Sequence, residues 1–298
     1  MKQSKTGILL LQVGSPDRPT AWSVARYLRR FLGDPRLIDL PAPLRWILVN
    51  LIIVPFRSFR SAKAYAKIWT DKGSPLVAYT LEVGEGLQKR LGDSFVVQVG
   101  MAFGQPGIKE GVRAFQEHQV DRLLAVPLFP QNSSATTAST TAEAMQELIR
   151  QWDFPSLRVA APFYNRPEFL DAWRSLIEDE LRSFQPDHVL FSFHSMPLSH
   201  LAKSRHCSQN CLAAPRCQHA ERQESSCYRG EAERSAELIA EVCGLDRAQW
   251  SLSYQSRLGR QAWLEPSTAD AFHRLGNQGK RLAVLSPGFT TDCLETLE

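Results

Sequence analysis

Three groups of residues in this sequence have types and spacings that could do chemistry. The first is the run Val189-Leu190-Phe191-Ser192-Phe193-His194-Ser195-Met196-Pro197, a strand of buried type that delivers a histidine at its carboxyl end, just before a turn. Open α/β sheets bind ligands at that end of their strands, and a neutral imidazole there can accept a proton or ligate a metal. The bland alternative for His194 is a core histidine bonded to a backbone carbonyl. The second group is the C-terminal segment Phe289 to Glu298, where Asp292, Glu295 and Glu298 recur every three residues. A helix starting there would align these carboxylates along one side, or they would simply complement the positive end of its dipole.

The third group lies in residues 203–230, where Cys207, Cys211, Cys217 and Cys227 follow the pattern C-x3-C-x5-C-x9-C among polar residues with almost nothing apolar to bury. Such a segment does not pack itself, and a bound metal would order it. Four thiolates suit zinc or an iron–sulfur cluster, and spacing alone leaves the two equal because the CxxC knuckles of zinc ribbons are absent. His206 and His219 could each replace a cysteine as ligand. Two disulfides are a third reading, disfavoured because no export signal precedes them and a reducing compartment would open them.

These groups need elements to position them. Short apolar runs of strand type occur at 7–13, 95–101, 122–129, 156–161, 187–193, 249–254 and 281–286. Amphipathic helical patterns at 21–32, 79–91, 107–118, 139–151, 167–183 and 231–243 lie between them. Alternation of strands and crossover-length helices predicts α/β architecture with parallel sheets. So many strand–helix units predict two Rossmann-like domains, 1–150 and 151–298, joined near 130–165 and sharing an active-site cleft.

Composition excludes several functions. A net charge of +4 over 298 residues, with Lys and Arg dispersed, does not suggest nucleic acid. No GxGxxG or Walker pattern supports a nucleotide cofactor. Gly7 to Val13 lacks the long apolar core and cleavage site of an export signal and reads as a buried first strand. The longest apolar run, Trp46 to Phe56, is interrupted by Asn50 and Pro55 and falls short of the ~20 residues that span a bilayer. Flanked by Arg45, Arg57, Arg60, Lys63 and Lys67, the region 43–60 reads equally as a buried helix or as a hydrophobic lip for a membrane surface or an apolar ligand.

Taken together, these residues resemble the ferrochelatase family. The histidine run and Asp292-Cys293-Leu294-Glu295-Thr296-Leu297 look like its signatures. Gly7 to Pro16, Tyr27 to Leu32, Gly73-Ser74-Pro75-Leu76, Pro130-Gln131, Ser253 to Arg257 and Trp263 to Pro266 fit as well, so the resemblance covers nearly the whole chain. It implies a lyase that inserts ferrous iron into protoporphyrin IX, the last step of haem biosynthesis, with the porphyrin in the interdomain cleft and no nucleotide. By position, His194 resembles the active-site histidine and Glu295 its carboxylate partner in metal binding and proton removal, with Asp292 as a relay. The resemblance also implies Val13 at the pocket floor, Trp263 as a cleft wall, and a lip touching the membrane of a cytoplasmic, peripheral enzyme. Tyr27 and Phe129 are further candidate walls, for which plain core packing is the stronger reading.

The chain also departs from the family pattern. Many relatives place an arginine at Ala102 and a tyrosine at Phe103, and many continue the last helix beyond Glu298. The four-cysteine insertion resembles bacterial members that carry a [2Fe–2S] cluster, which moves the preference for Cys207, Cys211, Cys217 and Cys227 from parity to that cluster over zinc. Rival functions are a non-catalytic haem-binding or iron–sulfur sensor protein and a cobalt or nickel chelatase for another tetrapyrrole. Retention of both His194 and Glu295 argues against the first, and the lone strand-end histidine against the second.

Overall fold

The computed structural model describes residues 5–204, 207, 209–214, 216–217, 227–259 and 261–298. In chain order the elements are β1 (Lys5–Gln12), α1 (Ala21–Gly33), α2 (Ala42–Ile47), α3 (Val54–Ile68), α4 (Pro75–Leu91), β2 (Phe95–Met101), α5 (Ile108–Glu117), β3 (Val120–Pro127), α6 (Ser139–Ile149) and β4 (Ser156–Val159). They continue with α7 (Pro167–Phe184), β5 (His188–His194), α8 (Leu198–Leu201), α9 (Gln209–Ala213), α10 (Tyr228–Val242), β6 (Trp250–Gln255), α11 (Thr268–Gly276), β7 (Leu282–Leu285) and α12 (Leu294–Leu297). The fold is α/β with two parallel sheets, ordered β2-β1-β3-β4 and β6-β5-β7. The strands thus occur where the apolar runs predict them. The nine-residue α11 has no counterpart in the helical patterns, although Ser267 marks its start by accepting the Asp270 amide hydrogen bond.

The chain forms two compact units: Met1–Phe129 with Ser134–Ala161 and Thr291–Glu298, and Pro130–Ser133 with Pro162–Thr290. The division therefore falls after residue 161 rather than 150, and the last eight residues belong to the first unit. The reason for the second difference is local packing. Helix α12 lies on α3, where Lys67 Nζ pairs with Glu298 Oε1 at 2.9 Å.

In the first unit β1 is central, and its Leu9 and Leu11 pack with Val112, Phe115, Ala125 and Leu148 from α5, β3 and α6. Continuous apolar runs are what a parallel strand covered on both faces requires. In the second unit β5 holds the same place between β6 and β7, with every residue buried from His188 to Phe193 and only His194 exposed. Phe191 and Phe193 join Tyr254, Ala232 and Ile239 in its core.

Helix α1 buries Val24, Tyr27, Leu28 and Leu32, the i, i+3, i+4, i+8 stripe of a one-sided helix, and starts at Thr20, which accepts the Ser23 amide hydrogen bond. The apolar segment behaves differently from its sequence pattern. Asn50 and Pro55 do not interrupt it: one helix runs Ala42–Ile68, 27 residues, long and apolar enough by length and composition to cross a membrane. A π-helical stretch, Leu48–Ile53, absorbs both residues. There the Val54 amide bonds to the Val49 carbonyl, Pro55 sits in the first turn of α3, and the Asn50 side chain donates to the Trp46 carbonyl at 2.9 Å. Nor is this helix buried: Trp46, Leu51, Ile52, Phe56 and Phe59 are all more than half exposed.

Candidate active site and cysteine pocket

His194 closes β5 opposite Gln255 of β6, at the carboxyl end of the central strand of its sheet. Its Nδ1 lies 2.6 Å from the Ser195 carbonyl oxygen. A carbonyl only accepts, so Nδ1 carries the hydrogen and the Nε2 lone pair is left free for a proton or a metal. The His194 carbonyl in turn accepts the Tyr228 hydroxyl at 2.8 Å. His188, at the other end of the same strand, shows what a core histidine looks like. It is buried, its Nε2 is 2.8 Å from Ser251 Oγ, and burial lowers its pKa. His194 shares the carbonyl bond of the bland reading but not the burial.

The turn after His194 is tied down in the same unit. The Ser195 amide donates to the Gln255 carbonyl and Ser195 Oγ to the Leu264 carbonyl, while Pro197 bridges to Trp263. Trp263, half-buried, holds its Nε1 buried without a hydrogen-bond partner.

Glu295 belongs to the first unit. It is exposed on α12 and stands beside three neutral donors, Cys293, Tyr65 and Tyr27. Burial pushes the Cys293 thiol well up, and the adjacent Glu295 carboxylate, to which it hydrogen-bonds, pushes it further. Burial likewise raises both tyrosines, which hydrogen-bond each other, so all three groups keep their protons. The tyrosine ring of residue 27 stacks on Phe31, with centroids 5.6 Å apart.

The expected row of carboxylates is not formed. Helix α12 starts at Leu294 with Cys293 as its N-cap, so Asp292 precedes the helix and its Oδ1 accepts the Thr296 hydroxyl at 3.0 Å instead. Glu298 turns to Lys67. Helical spacing cannot align a residue that lies outside the helix.

Of the other candidate wall residues, Val13 is half-buried just past β1 and accepts the Phe103 amide at 2.9 Å. Gly14, at φ +96°, turns the chain there and lies so close to Gly104 that an added Cβ would meet its amide at 2.9 Å. Phe129 is half-buried at the end of the first unit's run.

The four insertion cysteines all fall among the described residues, whereas His206 and His219 lie outside them. Contrary to a segment with nothing to bury, Cys211, Cys217 and Cys227 are buried in the second unit's core, and Cys207 packs against it. The thiols themselves are the apolar content. Cys211 and Cys217 have their sulfurs 4.0 Å apart. Cys227 is the N-cap of α10, and its pKa is pulled down to about 6 by the Cys217 thiol and by the Gly230 and Arg229 amides of that helix start. Burial and the neighbouring Cys227 and Cys211 push Cys207 up to about 11. Arg229 braces the segment, donating to the Cys211 and Ala214 carbonyls. Among the described residues, no three His, Cys, Asp or Glu side chains stand in metal-holding geometry. The donor chemistry, four thiols in one core cluster, fits a thiolate-bound metal.

Sequence reasoning missed Tyr65, Tyr228 and Glu231. Glu231 is buried, accepts the Asn132 amide, and is pushed up to about 8 by burial. A signal existed for Tyr228 and Glu231 in their positions one and four residues after Cys227, but none for Tyr65 on the apolar helix.

Comparison with known proteins adds a further finding. The family model described as Ferrochelatase matches residues 5–298. A protein named Ferrochelatase from Coxiella burnetii (strain Dugway 5J108-111) is 42% identical over 296 residues, 99% of this chain and 82% of the relative. Proteins of the same name from Bdellovibrio bacteriovorus and Legionella pneumophila (strain Corby) are each 38% identical, covering 99% of this chain and 87% of their own length.

Proposed function

Because this chain belongs to the ferrochelatase family, whose lyase activity makes protohaem by inserting ferrous iron into protoporphyrin, we propose that its metallation chemistry runs through His194 and Glu295. Insertion exchanges two pyrrole N–H protons for one Fe2+ ion, so the protein must take up protons while the cation sheds water. The observation that carries the assignment is the exposed His194 ring with its Nδ1 fixed on the Ser195 carbonyl, which leaves Nε2 as base or ligand. Glu295, held among the neutral donors Cys293, Tyr65 and Tyr27, supplies the carboxylate for metal or protons, with Asp292 as a relay. Val13, Tyr27, Phe129 and Trp263 contact the porphyrin in this reading.

The assay is anaerobic, with ferrous iron and either protoporphyrin IX or coproporphyrin III, read by visible absorption. Wild type converts protoporphyrin, and His194→Ala loses about 100-fold or more of the rate while still binding the porphyrin. A His194→Ala enzyme that inserts iron at the wild-type rate sinks the assignment.

Two finer readings accompany it. Cys207, Cys211, Cys217 and Cys227 hold a [2Fe–2S] cluster, supported by four thiols in one pocket and by the acidic Cys227 at a helix start, with structural zinc as the competitor. Such a cluster would supply a redox-sensitive staple for α10. The exposed apolar helix around 43–60, with its Arg and Lys rim, rests on the inner face of a membrane in the cytoplasm.

A further inference from the structure

One hydroxyl in the second unit's core is left without a bond. Tyr254, on β6 opposite Phe193 of β5, is 1% exposed, and its hydroxyl is buried with no hydrogen-bond partner among the described residues. Its backbone is fixed, with the amide donating to the Pro266 carbonyl at 2.8 Å. Tyr254 belongs to the same core cluster as Cys211, Cys217 and Cys227. Burial keeps its proton on, and Glu233, Tyr228, Arg229 and Cys227 are its electrostatic neighbours. A buried donor with no acceptor calls for an explanation.

Its polar neighbours are already engaged. Arg229 donates through Nε to Glu233 Oε1 at 2.8 Å, through Nη1 to the Cys211 carbonyl at 3.1 Å and through Nη2 to the Ala214 carbonyl at 2.9 Å. Glu233 takes the Cys217 amide on its other oxygen at 2.8 Å, and Tyr228 donates to the His194 carbonyl. The thiols meanwhile satisfy one another. Cys207 bonds Cys211, Cys217 bonds Cys227, and the Cys211 and Cys217 sulfurs stand 4.0 Å apart. Thiol protons carry those bonds between sulfurs. Cysteines that ligate a metal are thiolates, so ligation releases these protons to solvent. The bonds between sulfurs are then lost, and anionic sulfurs in a largely buried site need donors in their place. Cys227 has the Gly230 and Arg229 amides. The remaining demand is matched by the one neighbouring hydroxyl that has nothing else to bond.

We propose that Tyr254 is a side-chain donor to the metal centre of the cysteine pocket, its hydroxyl bonding a thiolate sulfur when a metal is held there. The acceptor is a side chain of this same chain and core, so the hydroxyl needs no path from solvent. The inference rests on the reading of the four cysteines as metal ligands. A donor to sulfur draws charge out of the centre, which favours the reduced form of an iron–sulfur cluster and the retention of a zinc ion.

The test is Tyr254→Phe, which removes the hydroxyl and keeps the ring. Wild type and variant are purified anaerobically, and iron, sulfide and zinc are counted per chain. With a cluster, a redox titration followed by visible absorption is expected to find the variant harder to reduce. Its reduced-to-oxidised ratio at fixed potential falls about tenfold, or about 59 mV for a one-electron couple. With zinc, competition against a chelator is expected to find the affinity lower by about tenfold. Once stripped of metal, the variant melts no lower than wild type, because there the hydroxyl has no partner to lose. A variant that passes this control but cannot retain the metal also supports the proposal. An unchanged potential or zinc affinity overturns the role of Tyr254 and leaves the metal reading standing. So does a stripped variant that melts well below wild type or fails to fold, since the hydroxyl then serves the fold. Wild type that holds no metal refutes the metal reading itself, and the inference with it.

Discussion

The Tyr228 hydroxyl donates to the His194 carbonyl at 2.8 Å, and Tyr228 directly follows Cys227, so one residue step separates the cysteine pocket from the backbone of the strand-end histidine. Tyr228 is buried, and burial raises its pKa far enough that it stays a donor across the working range of pH.

Tyr228→Phe removes that bond and nothing else of the ring. The expected cost is about 1 kcal/mol, read as a several-fold fall in kcat with KM held, because the histidine is less well oriented while the porphyrin surface is intact. Steady-state kinetics check it; an unchanged kcat would mean that β5 alone positions His194.

Cys227→Ala is expected to abolish the visible absorption beyond the protein's own bands and to lower the thermal midpoint, since it removes one of the four thiols and a buried side chain of the second unit's core. Colourless wild type carrying one zinc per chain would replace the cluster with zinc.

Glu231 makes stability depend on pH. Its folded pKa of about 8 lies above the ordinary 4.5, so the unfolded chain releases this proton first as pH rises. Its contribution therefore turns progressively unfavourable between pH 4.5 and 8, by a few kcal/mol in order of magnitude, and is constant above. Glu231→Gln keeps an acceptor for the Asn132 amide and cannot ionise. Melting curves from pH 5 to 9 should show the variant gaining on wild type as pH rises; parallel curves would contradict a buried carboxyl at this position.

Phe56, 78% exposed, and Leu51, 59% exposed, hold no core packing. Changing both to Glu is expected to reduce co-flotation with anionic vesicles about fivefold while shifting folding stability by no more than ~0.5 kcal/mol per site. Undiminished flotation would remove this helix from the membrane contact.

Much of this was legible in the residues themselves. Strand runs such as Ile8 to Leu11 and Val189 to Phe191 are written in continuous apolar side chains because a strand covered on both faces buries alternate residues on each. His194 was legible for the same reason: where such a run ends in a polar side chain before a turn, that side chain leaves the core. The four cysteines were equally plain as a set. Pattern misled where one residue type has several local solutions. Asn50 and Pro55 read as interruptions, yet a π turn carries the helix through both by rerouting the backbone bonds. The i, i+3, i+6 acids read as a row, yet the helix begins after Asp292. What only the tertiary structure decided depends on residues distant in sequence: that Thr291–Glu298 packs with the first unit, bringing Glu295 to Tyr27 and Tyr65, and that Arg30 meets the Ala102 carbonyl. Local periodicity reports which side of an element is buried; it carries no term for the partner that buries it.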